Sequence, residues 1–184
     1  MNRSFLVCFF ATAALASTPS PAVGAQLNPE PRVGVYDSRA VSYAYFWSPP
    51  VKHDRDELVA RARAAKAAGD GAHLKVLTAR IDASQKQSML EVFSTAPAEE
   101  AMTSLADQMS AILGELGVSR LVSKWDEAGL KDVPVEDRVD ATERLVRAFF
   151  PSPDGHLSNT LKGIEAAKPL PLWEAKLMCL FQAL

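Results

Sequence analysis

The stretch Arg32-Val33-Gly34-Val35-Tyr36-Asp37-Ser38-Arg39-Ala40-Val41 decides the fold. The β-formers Val33 and Val35 fall on alternate positions, with Tyr36 beside them before Asp37, so residues 32–37 read as a β-strand. The sequel, residues 40–47, mixes aromatic, β-branched and small side chains, and there strand and helix compete. Ser48-Pro49-Pro50 breaks whichever of the two forms.

Beyond that break the period becomes helical. Asp54 opens a helix, and Glu57 three residues later completes a capping box. Leu58, Ala62 and Ala65 form one narrow apolar stripe, and Gly69-Asp70-Gly71 ends the helix. A second helix over residues 72–92 repeats Leu74, Leu77, Ile81, Ser84 and Ser88 at 3-4-3-4 spacing. Two helices joined by a Gly-Asp-Gly turn predict an antiparallel hairpin, an arm over about residues 54–92. Its small alanine and serine contacts make it thin and marginal by itself.

Pro97 suits the first position of a third helix, with Glu99 and Glu100 at its positive end. Met102, Leu105, Met109, Ile112 and Leu116 give it a bulky apolar stripe, and Gly114 to Gly117 stop it. A strand, Arg120-Leu121-Val122-Ser123, follows. A helix begins near Asp140, which has Glu143 three residues on, and Pro151 and Pro153 end it. Two short helices are expected near residues 154–167 and 171–183. Leu170, Leu172, Trp173, Leu177, Leu180 and Phe181 are too apolar to stay in water, so this tail is expected to dock on the body or on a partner. The fold class is therefore α+β and predominantly helical. It has a small β-sheet core, a helical hairpin insertion and a C-terminal helical tail.

Working upstream, residues 1–25 read as a secretory signal. Arg3 supplies the basic start, residues 5–16 an apolar run, and Val23-Gly24-Ala25 a cleavage site. A run of about 12 apolar residues is too short to span a bilayer, for which ~20 are needed. Cleavage after Ala25 leaves 159 of the 184 residues, takes the formal charge from −2 to −3, and leaves Cys179 as the single thiol. The expected organisation is a signal at 1–25, a body at 26–150 that begins with a Pro-rich arm, and an extension at 151–184. No later stretch suits a membrane span, so the mature chain is expected in a periplasm or outside the cell.

Composition narrows the function classes. With 20 basic against 22 acidic residues, the chain carries no electrostatic footprint for nucleic acid. His53, His73 and His156 lie in separate segments without ligand spacing, so no metal is expected. No Gly-rich phosphate loop occurs, and no cofactor is expected. Ser38 lacks a nucleophile elbow and Cys179 sits among apolar residues, so no catalytic residue is assigned. The hairpin holds eight basic against six acidic residues over 52–91, too weak a bias to mark a membrane surface.

The chemistry-bearing residues gather at strand ends. Tyr36, Asp37 and Arg39 follow the first strand, and Lys124, Trp125 and Asp126 follow the second. If these strands are parallel, all six emerge at one edge and can form a small polar and aromatic ligand site. The plainer reading is ion pairs and turn caps, with Trp125 covering the sheet. Burial decides between them: a ligand site needs the six to converge on an open concave surface.

The order of parts resembles the Skp/OmpH-like family of periplasmic chaperones. The residues that carry the likeness are Val33-Gly34-Val35-Tyr36-Asp37, Leu113-Gly114-Glu115-Leu116-Gly117-Val118, Leu121-Val122-Ser123, and Val139-Asp140-Ala141-Thr142 with Leu145-Val146. The Val-Gly-Val-Tyr-Asp-Ser-Arg-Ala-Val run also looks like one in secreted proteins of no assigned activity. The family resemblance implies a trimer with a small β-rich association core, and arms that hold unfolded outer-membrane proteins. This chain departs from the family's pattern in its short arm, the weak basic charge of that arm, and its Pro-punctuated tail. The expected function is an exported, non-enzymatic binding or chaperone-like protein. The alternative is a secreted small-ligand-binding protein or enzyme that uses the strand-end residues.

Overall fold

The computed structural model describes residues 32–181. The signal at 1–25 and residues 26–31 of the Pro-rich arm lie outside the described residues. Within them stand three strands and nine helices, an α+β fold dominated by helix.

The sheet is built on the opening motif. Strand β1 (Val33–Tyr36) is central and pairs in parallel with β2 (Arg120–Ser123) and with β3 (Arg138–Asp140), giving the order β2-β1-β3. Gly34 faces Leu121, and a Cβ there would meet the Leu121 side chain at 2.5 Å. Glycine at this position lets the two strands approach. Strand β3 was not expected: its three residues are too few to show alternation.

Residues 40–47 resolve to helix. Asp37 caps α1 (Ser38–Trp47) by accepting the Arg39 backbone N–H at 3.0 Å. Helix α1 is buried on nearly every side, where Ala40, Ser42 and Ala44 let neighbouring helices come close. Its lack of a polar face follows from that central position.

The proline pair starts a helix as well as ending one. Ser48 turns the chain between α1 and α2 (Pro49–Ala67), whose first two positions are prolines without need of an N–H donor. The expected start at Asp54 is thus corrected, and the Asp54/Glu57 capping box does not form. Gly69, at φ 72°, makes the turn, and Asp70 caps α3 (Gly71–Phe93) by accepting the His73 N–H at 3.0 Å. The hairpin closes as the spacing predicts, with Ala62, Ala65 and Leu77 buried and Leu58, Leu74 and Ile81 packed around them.

The third helix is interrupted. It forms α4 (Glu99–Ser104), a 3₁₀ turn over Ala106–Gln108, and α5 (Met109–Leu116). The Ser104 hydroxyl donates to the Ala101 carbonyl at 2.8 Å, a side-chain bond that competes with the helix ladder. The apolar stripe survives the break, with Leu105 and Ile112 in the main core beside Tyr36, Val41 and Leu145. Gly117 ends α5 at φ 61°.

Helix α6 (Glu127–Leu130) follows β2, and α7 (Thr142–Phe149) follows β3. The tail docks in part. Helix α8 (Gly155–Ala166) packs Leu157 and Leu161 against Ala40, Ala44 and Val146. Leu170 bridges to Ser94, but α9 (Leu172–Phe181) leaves Trp173, Leu177, Met178 and Leu180 exposed. Among the described residues, no helix is long and apolar enough to cross a membrane.

Candidate functional site

Parallel pairing brings the ends of β1 and β2 to one edge of the sheet, and four of the six strand-end residues meet there. The Asp37 carboxylate is 1% exposed. It accepts the backbone N–H of Arg39 at 3.0 Å, Arg39 Nε at 3.3 Å and Nη2 at 3.2 Å, and Trp125 Nε1 at 3.2 Å. Lys124 Nζ stands 2.6 Å away. Trp125 lies under both cations, 4.9 Å from Arg39 Cζ and 4.7 Å from Lys124 Nζ. Burial by itself would raise the Asp37 pKa, but Lys124 and Arg39 bond to the carboxylate and hold it below the usual range.

The other two residues do different work. Tyr36 belongs to the core, where burial first and then the charges of Asp126 and Glu91 raise its hydroxyl pKa. Asp126 is exposed and caps α6 by accepting the Gly129 N–H at 2.9 Å. The structure thus brings Asp37, Arg39, Lys124 and Trp125 together and places Tyr36 in the core and Asp126 at the start of α6.

Partners from the far end of the chain complete the centre. Thr142 Oγ1 accepts the Asp37 N–H at 3.1 Å, and the Ala167 carbonyl accepts from Arg39 Nη1 at 2.8 Å. Glu165 on α8 has its pKa raised by burial and then by the charge of Asp37. Arg39 is 2% exposed, whereas Lys124 is 33% exposed and is the one basic group here that reaches water. The carboxylate's acceptor positions are all filled from within the chain, so this centre locks strand ends to α1 and the tail.

A second buried acid escaped the sequence reading. Glu91 on α3 is fully buried and accepts from the Ser42 hydroxyl at 2.8 Å and from Gln87 Nε2 at 2.6 Å. No cation is paired with it among the described residues. Burial pushes its pKa up, the bonds from Gln87 and Ser42 offset this only in part, and Glu100 and Glu99 add to the rise. The signal was present: Glu91 is the next step of the series Leu77, Ile81, Ser84, Ser88, and so lies on the buried face.

The candidate metal ligands remain apart. His53 pairs with exposed Glu57 at 3.3 Å, and His73 lies beside Asp70, while no cluster of three ligating side chains occurs among the described residues. Cys179 is a half-buried free thiol on α9.

The large concavity lies at the root of the arm. A groove of about 800 Å³ runs between α2 and α3 and is closed by the end of α1 and the start of α4. Tyr45, Trp47, Val51, Leu58, Ile81 and Met89 give it an apolar lining. Asp54, Glu57, Arg55 and Arg61 stand along the α2 side, Arg80 on the α3 side, and Glu100 at the root. Trp47 stacks on Tyr43 at 4.6 Å, with Arg55 5.6 Å from its ring centre, which steadies one lip of the groove.

The sequence matches no protein-family model, and no match is found among curated proteins or among solved structures.

Proposed function

We propose that the protein is an exported, non-enzymatic binding module of Skp/OmpH-like architecture that holds apolar segments of unfolded envelope proteins. The observation that carries this reading is the open groove at the arm's root, lined by apolar side chains together with charges of both signs. Such a surface accepts many apolar side chains without a fixed hydrogen-bond pattern, which suits clients of varied sequence. The proposed assembly is a trimer, by resemblance to the family, in a periplasm or outside the cell.

The reading in which the strand ends bind a small ligand or do acid–base chemistry has less support, because Asp37 is enclosed by Arg39, Lys124 and Trp125. The test is suppression of aggregation of an unfolded outer-membrane protein diluted from urea. The wild-type protein should keep the client soluble, and Val51→Asp, which places a charge in the groove, should lose that protection. No suppression by the wild type would sink the proposal.

A further inference from the structure

Helix α9 presents an apolar face that is left exposed among the described residues. Trp173, Leu177 and Leu180 stand at i, i+4 and i+7, one stripe of a helix, and Trp173 is 69% exposed. No α9 residue lines the groove of its own chain. Leu170 N donates to the Phe93 carbonyl at 3.0 Å, its carbonyl accepts from Thr95 N at 2.9 Å, and Leu172 N donates to Thr95 Oγ1 at 3.2 Å. These bonds pin the base of α9 beside the end of α3. The groove lies along α3 around Arg80 to Met89. At 1.5 Å per residue, its middle is about 13 Å back from that anchor.

We infer that the groove seats α9 from a second copy of this chain. Three features choose that occupant. The groove's 800 Å³ exceeds the volume of the three stripe side chains, and its lining matches them in character. Glu174 and Lys176 flank the stripe on opposite sides, so Glu174 can face Arg80 on the α3 wall while Lys176 faces an α2 wall that carries Asp54 and Glu57 beside Arg61 and the Trp47-stacked Arg55. Finally, a flat pairing of two α9 stripes covers too little surface, since a stable interface needs about 800 Å² per partner. A groove encloses the helix on three sides and brings its walls into the contact.

The contact is head-to-tail, since the donated helix and the receiving groove are different surfaces. Successive copies then close into a ring or extend as an open chain. A ring of three fits the trimer proposed above. The inference rests on the groove being a binding surface, as in the proposed function, and adds that the protein's own tail occupies it and competes with clients.

The test uses light scattering on the purified protein and two variants at exposed positions, Trp173→Asp in the tail and Met89→Asp in the groove. Each variant alone should fall to the mass of a single chain. Mixed in equal amounts they should form pairs and nothing larger, because only one sound tail and one sound groove meet. Circular dichroism of each variant checks that the fold is retained. A single-chain mass for the wild type at all concentrations overturns the inference. So does an unchanged mass for either folded variant, or a mixture that stays at one chain. Client assays separate the two proposals: Trp173→Asp should protect a client at least as well as wild type, since its grooves are vacant. Loss of assembly without any client protection supports the tail contact and removes the chaperone role.

Discussion

Replacing Asp37 by Asn keeps the shape of the strand-end centre and removes its charge. Arg39 is 2% exposed, and apart from Asp37 the one hydrogen-bond acceptor of its side chain among the described residues is the Ala167 carbonyl at 2.8 Å. The new amide group would also turn a donor toward Arg39 Nη2 and Lys124 Nζ, which are donors themselves. Lys124, one-third exposed, can swing its ammonium into water; Arg39 cannot. Stranding one member of a buried ion pair costs about 3–5 kcal/mol. With a urea m-value near 2 kcal/mol/M, the unfolding midpoint should fall by roughly 2 M. Lys124→Met is the matched control and should cost less than Asp37→Asn, because Arg39 still neutralises the buried carboxylate. The pH dependence gives a second readout. Asp37 has its folded pKa below the ordinary 3.8, so its contribution is complete above pH 3.8 and is lost as pH falls through the folded value. The gap between wild type and Asp37→Asn should therefore narrow below pH 3.8. A loss under about 1.5 kcal/mol at pH 7, with an unchanged m-value, would show that the carboxylate does not hold Arg39 in place.

Two further substitutions probe the buried acid and the arm. Glu91 has its folded pKa above the ordinary 4.5, so its contribution is fully present below pH 4.5 and is lost as pH rises through the folded value. Glu91→Gln keeps an amide between Ser42 and Gln87 and should be more stable than wild type at pH 8 by about 1–3 kcal/mol, with that part of the pH slope removed. A thermal melt series from pH 4 to 9 checks this, and a destabilised Gln variant at pH 8 would refute it. Leu77→Ala empties the largest buried position of the hairpin core and should cost the arm about 2–5 kcal/mol. Hydrogen exchange should then speed up in α2 and α3 while β1 keeps its protection; equal loss in both would show that arm and body unfold as one unit.

What could be read in advance follows the range of the forces involved. The Gly69-Asp70-Gly71 turn, the Gly117 stop and the Leu58/Leu77 stripes are local, and turn chemistry with helical period predicts them. Residues 40–47 suit strand or helix equally; burial of α1 among α3, α4, α7 and α8 selects helix. Strand β3 has three residues and depends on the edge that β1 offers. The candidate site shows the same division. Asp37 and Lys124 were visible as strand-end residues. The enclosure of Asp37 rests on contacts with Trp125 and Thr142, 88 and 105 residues away.

By itself, then, the sequence determined the class, the first two strands, the hairpin and the apolar tail, because each rests on periodicity or turn residues within a few positions. Tertiary structure alone decided that the sheet is parallel, that Asp37 is enclosed, that Glu91 is buried without a cation, and that the large groove opens at the root of the arm. Those outcomes depend on which distant segments exclude water from one another, and no local pattern of side chains encodes that.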